Sequence, residues 1–339
     1  LGYFYQQLNK YELAKKSYLN AIKINSHHWE SKLNIALIYI DLKEYSVALK
    51  FIEEVLNIKK NYQPALRDKA LILYYLKRYD EALEAIEISI KLNDRDYIAL
   101  NTIGIIHLAL SNIESAKENF LKAIYLNNRY ELSFTNLGRC FELLNLPEDS
   151  IKCFLQAEKI NPHSLLTLNN IASYYVDKGE YQKGLKYYLK AYEKDSKNLM
   201  LMSNLAKVYL YIDQYKLSEI LIKKCLHQDA KNDDYRETYA ALLFKQQKYS
   251  EAWNYYDGRF RSLKINNKNT NFENIKNFLW DGRKINIHDK ILVINEQGVG
   301  DEILYGTLYS DLFKNFPNTQ IESSPKLIEL FKYSFSKEK

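Results

Sequence analysis

Cysteine is scarce. The chain of 339 residues has three, Cys140, Cys153 and Cys225, an odd number with no Cys-x-x-Cys spacing. That argues against a disulfide framework and fits a reducing, cytoplasmic compartment, with the thiols expected to be buried and inert. Histidine is nearly as sparse, with six residues. No helix carries two potential ligands four residues apart, so no metal site is expected. No run of 18 apolar residues occurs, so no membrane-spanning helix is expected. No basic stretch followed by an apolar one opens the chain, so no secretory signal is expected. No block of five or six like charges occurs either. The net charge of +6 is therefore read as charges of both signs spread over solvated helix faces, and nucleic acid is not an expected partner.

What is present is a period of 34 residues, unbroken to about residue 266. One column of small residues holds Gly2, Ala36, Ala70, Gly104, Gly138, Ala172, Ala206 and Ala240. A second holds Ala14, Ala48, Ala82, Ala116, Ser150, Gly184, Ser218 and Ala252. A third holds Tyr11, Tyr45, Tyr79, Tyr181, Tyr215 and Tyr249, with Ile113 and Pro147 in its gaps. A period of this length marks stacked helical hairpins. Small residues allow two helices to cross closely, and larger ones such as Tyr18, Phe120, Phe154 and Tyr188 fill the space between. Each hairpin alone leaves an apolar face in water, so only the stack is stable.

The pattern resembles the tetratricopeptide repeat, whose consensus sets Leu-Gly, Tyr, Ala, Phe or Tyr, Ala and Pro at fixed offsets. Leu1-Gly2, Tyr5, Ala14, Tyr18 and Ala21 match one unit, and Leu137-Gly138, Phe141, Phe154, Ala157 and Pro162 match another. The resemblance implies a mostly α fold: a right-handed superhelical array of about eight repeats over residues 1–266, the first one partial. Because Leu1 falls inside a repeat, more chain is expected before it.

In such an array the first helices line an inner wall, reached by the residues just before the Leu-Gly position. That column reads Asn34, Asp68, Thr102, Asn136, Asn170, Asn204 and Thr238, and its neighbour includes Asn101, Thr135, Asn169 and Ser203. An amide offers a donor and an acceptor, so Asn34, Asn101, Asn136, Asn169, Asn170 and Asn204 are the expected peptide-binding residues of a concave groove. The ladder is similar to that in the repeat domain of O-linked N-acetylglucosamine transferases, with Asp68, Thr102 and Thr238 as departures at its ends.

Residues 267–289 read as a linker, with the polar run Asn266-Asn267-Lys268-Asn269-Thr270-Asn271. The period then changes. Lys290-Ile291-Leu292-Val293-Ile294-Asn295 predicts a buried parallel strand, followed by a Gly-rich loop, a helix from about 302 to 316, a strand over 319–322 and a helix over 326–335. This is the opening of a Rossmann-like half. Gly298 and Gly300 permit unusual backbone angles at the loop, which delivers a helix N-terminus suited to an anion or a hydroxyl.

The run Trp280-Asp281-Gly282-Arg283, a spacer, then residues 291–303, resembles the junction in bacterial proteins that join tetratricopeptide repeats to a glycosyltransferase-like domain. Gly300-Asp301 before a helix is also similar to the first loop of heptosyltransferases. That resemblance implies Asp301 as general base, a substrate loop of Glu296, Gln297, Gly298 and Gly300, and a nucleotide-sugar donor for a full-length parent; Glu296 and Glu302 are weaker acid-base candidates. Residues 290–339 would be only the N-terminal fragment of such a domain, without a nucleotide pocket or bound cofactor. Transferase activity is therefore not expected of this chain alone. The alternative is a non-catalytic interaction scaffold closed by an α/β cap.

Overall fold

The computed structural model describes residues 1–256, 284, 286–293, 306, 308–323 and 325–334. The chain forms two compact units, Leu1–Ile265 and Asn266–Lys339.

Over the described residues 1–256 the first unit is eight helical hairpins. First helices are α1 (Gly2–Gln7), α3 (Trp29–Asp41), α5 (Gln63–Tyr75), α7 (Tyr97–Ala109), α9 (Glu131–Leu143), α11 (Leu165–Asp177), α13 (Leu199–Tyr211) and α15 (Asp233–Lys245). Second helices are α2 (Tyr11–Ile24), α4 (Tyr45–Ile58), α6 (Tyr79–Leu92), α8 (Ile113–Leu126), α10 (Pro147–Ile160), α12 (Tyr181–Lys194), α14 (Tyr215–Gln228) and α16 (Tyr249–Tyr256). Each helix packs on the next in sequence, and first helices also touch across repeats, α5 on α7, α7 on α9 and α13 on α15.

The turn inside each hairpin repeats the same chemistry. One residue per turn is left-handed, in sequence Asn9, Lys43, Lys77, Ser111, Asn145, Gly179, Asp213 and Gln247, with φ between 55° and 74°. The next N–H reaches back to the carbonyl five residues earlier, as Glu44 to Tyr39 at 2.8 Å and Asn112 to His107 at 2.8 Å. This closes the first helix and satisfies its last carbonyls. Gly179 alone in the column adopts the angle without steric cost. First helices start on side-chain caps at Asp96, Ser164, Asn198 and Asn232, and His28 fills the same place with its Nδ1. Tyr62 and Tyr130 do not cap; they pack edge-on against Trp29 and Tyr97.

The small-residue columns have a finer rule than size. A Cβ added at Gly104 would stand 2.4 Å from Phe120 Cε1, and one at Gly138 would stand 2.4 Å from Phe154 Cε1. At Gly2 the nearest atom is Tyr18 Cε1, at 2.6 Å. Where the first helix has alanine instead, at Ala36, Ala70 and Ala206, the second helix carries Ile52, Ile86 and Ile222 sixteen residues on, all fully buried. Glycine therefore serves an aromatic ring and alanine an isoleucine. Two hairpins depart from this. In that of α11 and α12, Ala172 is followed sixteen residues on by Tyr188, and the glycine moves to Gly184, whose Cβ would meet Val176 Cγ2 at 2.6 Å. In that of α15 and α16, Ala240 is followed by Tyr256, which packs on Phe244 and Trp253. Three of the six hairpin-turn tyrosines pack on first-helix tyrosines, Tyr45 on Tyr75 at 4.5 Å, Tyr79 on Tyr74 at 6.0 Å and Tyr181 on Tyr211 at 5.1 Å between centroids.

In the second unit the described elements are β1 (Ile291–Val293), α17 (Tyr309–Asn315), β2 (Thr319–Ile321) and α18 (Ile328–Ser334). The strands are parallel, with Ile291 opposite Thr319 and Val293 opposite Ile321. Tyr309 of α17 meets Phe331 of α18 edge-on at 5.5 Å. The strand-helix-strand-helix order matches the sequence expectation for this segment. No helix among the described residues is long and apolar enough to cross a membrane.

Candidate peptide-binding wall of the repeat array

Positions two, five, six and nine of each first helix share one face, because they are three or four residues apart. In α7 through α13 that face carries the expected asparagines, and the structure ties them to each other. Asn136 Nδ2 donates to Asn101 Oδ1 at 3.0 Å, joining α9 to α7. Asn204 Nδ2 donates to Asn169 Oδ1 at 2.9 Å, joining α13 to α11 in the same way. The hydroxyls of Thr135 and Thr167, 2.9 Å apart and buried, join α9 to α11 between the two pairs. Each partner lies one repeat plus or minus one or two residues away, a spacing set by the offset of adjacent helices.

The amides are therefore not an independent row of free groups. Asn101 Oδ1 accepts a second, longer contact from Ser133 Oγ at 3.4 Å. Asn169 Nδ2 lies 3.4 Å from Asn170 Oδ1, while Asn170 Nδ2 is buried with no partner among the described residues. Asn136 Oδ1 and Asn204 Oδ1 remain uncommitted among the described residues. Asn34 is half-buried and stands apart from both pairs. The threonines that replace asparagine at the ends turn inward: Thr102 and Thr238 each donate to the carbonyl four residues back at 2.8 Å.

The ends of the wall are charged. At one end Arg67 bridges Asp68 and Asp96 at 3.1 Å each, and Gln63 Nε2 donates to Asp96 at 2.8 Å. Burial pushes the Asp68 carboxyl up, with Arg67 only partly offsetting it. Burial also acts on Asp96, but hydrogen bonds from Gln63, the Ala99 N–H and Arg67 outweigh it and hold that carboxyl below its ordinary value. At the other end Asp234 accepts from Ser203 Oγ at 3.0 Å and pairs with Lys207.

An apolar row that the sequence reading did not single out flanks the amides. Ile98, Leu132, Leu166 and Met200 recur every 34 residues, each four residues before the Asn or Thr of its helix. Leu166 is 44% and Met200 51% exposed, unusual for such side chains on the packed side of a stack. Their period was the available signal, masked by the larger core columns beside it.

Cys140 and Cys225 are buried as expected, Cys153 is only half-buried, and all three are free. Burial pushes Cys140 up to about 12 and Cys153 and Cys225 up to about 11. No group of three potential metal ligands occurs among the described residues. Asp301, Glu296, Gln297, Gly298, Gly300 and Glu302 lie outside the described residues.

Comparison with known proteins gives a consistent picture of the array. One tetratricopeptide repeat family model matches residues 1–28, 30–62 and 166–198, and a second matches 67–131. No curated protein matches the sequence. Among solved structures, the Cut9–Hcn1 hetero-tetramer of the APC/C is 16% identical, with a TM-score of 0.62 over 67% of this chain and 45% of that one. PilF of Pseudomonas aeruginosa is 16% identical, with a TM-score of 0.53 over 62% and 96%. A tetratricopeptide repeat protein from Parabacteroides merdae is 13% identical, with a TM-score of 0.51 over 74% and 96%. At these identities the likeness is one of fold. Repeat period, hairpin packing and the family matches agree, and residues 1–256 fold as a tetratricopeptide repeat array.

Proposed function

We propose that the first-helix wall from α7 to α13 holds an extended segment of a partner protein. The observation that carries this is the repeated unit of an asparagine pair with an apolar shoulder. In each, one amide oxygen, of Asn136 or Asn204, is left uncommitted beside Leu132 or Met200. An extended peptide offers backbone N–H groups to the oxygens and alternate side chains to the shoulder. The pairing between repeats fixes each amide before a ligand arrives, which lowers the ordering cost of binding. Cysteine scarcity supports a cytoplasmic setting.

The test is a peptide-library selection on the chain, followed by Asn136→Ala with Asn204→Ala. The double variant should bind selected peptides at least about tenfold more weakly, from the loss of two hydrogen bonds of about 1 kcal/mol each. Asn119→Ala, on a second helix, should leave binding unchanged. Selected peptides that bind the double variant as well as the parent would refute the assignment.

The parallel β1-α17-β2 arrangement favours a second reading. In it the array presents acceptor proteins to a glycosyltransferase-like domain opened by residues 290–339, using a nucleotide-sugar donor and Asp301 as base. Intact-mass measurement of the native protein tests it. A product longer by about 200 residues, with transfer lost in Asp301→Asn, supports the reading. A native product ending at Lys339 leaves the non-catalytic scaffold.

A further inference from the structure

The loops between repeats carry a second regularity, on different residues from the wall. Six of the seven junctions between a second helix and the following first helix use the same turn. The side-chain oxygen of an Asn or Asp accepts from the N–H two residues later: Asn25 from His27 at 2.9 Å, Asn93 from Arg95 at 3.1 Å and Asn127 from Arg129 at 3.0 Å. Asn161 accepts from His163, Asp195 from Lys197 and Asp229 from Lys231, each at 3.2 Å. The residue held by this turn is basic in all six, and exposed in all six. The exception, Lys59-Lys60-Asn61, shifts its cations by one and two places and sets Lys59 over the Trp29 ring at 4.3 Å.

Second-helix lysines are mixed: Lys16, Lys50, Lys186 and Lys216 are unpaired among the described residues, while others pair within their own helix or its cap. Lys15, Lys117, Lys152 and Lys183 each pair with an acid three residues before them. None of the six loop residues is in an ion pair among the described residues. Acidic groups do lie along this edge, at Asp94, Asp195 and Asp229, but the last two carboxylates are engaged by the turn itself. The row thus consists of four cations, Arg95, Arg129, Lys197 and Lys231, and two histidines, held at equivalent places in the repeats and in no ion pair among the described residues.

A cavity sits on the same edge. It has a volume of about 460 Å³, and Lys197 of the row lines it together with Lys224 and His227 from α14. Leu199 and Met202 also line it. None of the three basic groups has an ionic partner among the described residues. The cavity offers an apolar lining with a cationic rim, which fits an acidic side chain flanked by apolar ones.

We propose that this inter-repeat edge is a docking surface for an acidic, extended protein segment, separate from the first-helix wall and independent of what that wall binds. Successive repeats place row members on the order of 10 Å apart, the spacing of packed helices. Every third residue of an extended chain recurs at about the same distance. An acidic peptide fits better than a nucleic acid because the row is a single file with gaps, not a dense patch interleaved with stacking aromatics.

The experiment uses the whole chain and a fluorescein-labelled (Glu-Ser-Gly)8 peptide, titrated at low salt by anisotropy, with (Lys-Ser-Gly)8 and a dT oligonucleotide as comparison probes. The row variant combines Arg95→Gln, Arg129→Gln, Lys197→Gln and Lys231→Gln. The control removes equal charge from exposed helix sites: Lys16→Gln, Lys50→Gln, Lys186→Gln and Lys216→Gln. Circular dichroism melts check that both remain folded, as their exposure leads one to expect. The Glu peptide should bind the parent in a salt-sensitive manner, roughly tenfold more weakly the row variant, and within about twofold of the parent for the control. Equal loss in both variants would reduce the effect to net charge and overturn the proposal. So would absence of saturable binding, or an oligonucleotide that binds more tightly and depends on the row. Asn136→Ala with Asn204→Ala should leave this binding unchanged, which separates its failure from that of the wall.

Discussion

The pairing of glycine with an aromatic ring sets up a reversal of sign. Gly138→Ala would place a methyl 2.4 Å, 2.7 Å and 3.0 Å from three carbons of the Phe154 ring, where about 3.5–4.0 Å is normal. The ring is fully buried and cannot swing to solvent, so the hairpin must open. Overpacking of this kind costs about 1–3 kcal/mol. Against it, replacing a glycine inside a helix by alanine contributes about 1 kcal/mol. The single variant should therefore be destabilised by about 0–2 kcal/mol. Phe154→Ile, which copies the Ala36–Ile52 and Ala70–Ile86 hairpins, leaves space and costs about 1–3 kcal/mol alone. In that background Gly138→Ala should become stabilising by about 1 kcal/mol, because only the helix term remains. The expected coupling is about 1–3 kcal/mol. Urea unfolding of the four proteins measures it, and amide hydrogen exchange in α9 and α10 localises it, which matters in an array whose repeats need not unfold together. Additivity within about 0.5 kcal/mol would refute the steric account.

Other consequences are open to direct measurement. Ser111→Gly should stabilise the array by about 1 kcal/mol, since Ser111 holds a φ of 64°, whereas Gly179→Ala should destabilise it by a similar amount; thermal melts of the two decide this. Asp96, held below its ordinary value, stabilises above the range of the unfolded carboxylate, and that contribution is lost as pH falls through its folded value. Asp96→Asn should therefore cost about 1–2 kcal/mol near neutrality and nothing in strong acid. Asp68, raised by burial, has the opposite sign: its ionisation disfavours the fold, so Asp68→Asn should raise the melting temperature near neutrality and lose that advantage on acidification. Cys140 and Cys225, buried and pushed up to about 12 and 11, should not react with Ellman's reagent at mildly alkaline pH until the chain is denatured. Labelling of either one in the folded protein would contradict its burial.

The period of 34 residues was enough to determine the hairpin stack, because packing one helix on another admits only small residues at the crossing and repeats that demand in every unit. The strand-helix-strand reading of the last segment was legible for a similar reason, a change from a helical period to a short β-branched run. Sequence also marked the wall asparagines, but it presented them as parallel free groups. Which amide bonds which depends on how far one first helix is offset from the next, and only the packed array decides that; it ties Asn136 to Asn101 and Asn204 to Asn169 and leaves Asn34 aside. The choice of glycine over alanine at Gly104 and Gly138 is likewise a tertiary matter, since the ring that requires it stands on another helix. The basic row along the loops lay in the sequence at a fixed offset, yet it changes identity among His, Arg and Lys. Its coherence emerges when the same turn is seen to hold each of them at the edge of the stack, where a charge can stay solvated until a partner of opposite sign arrives.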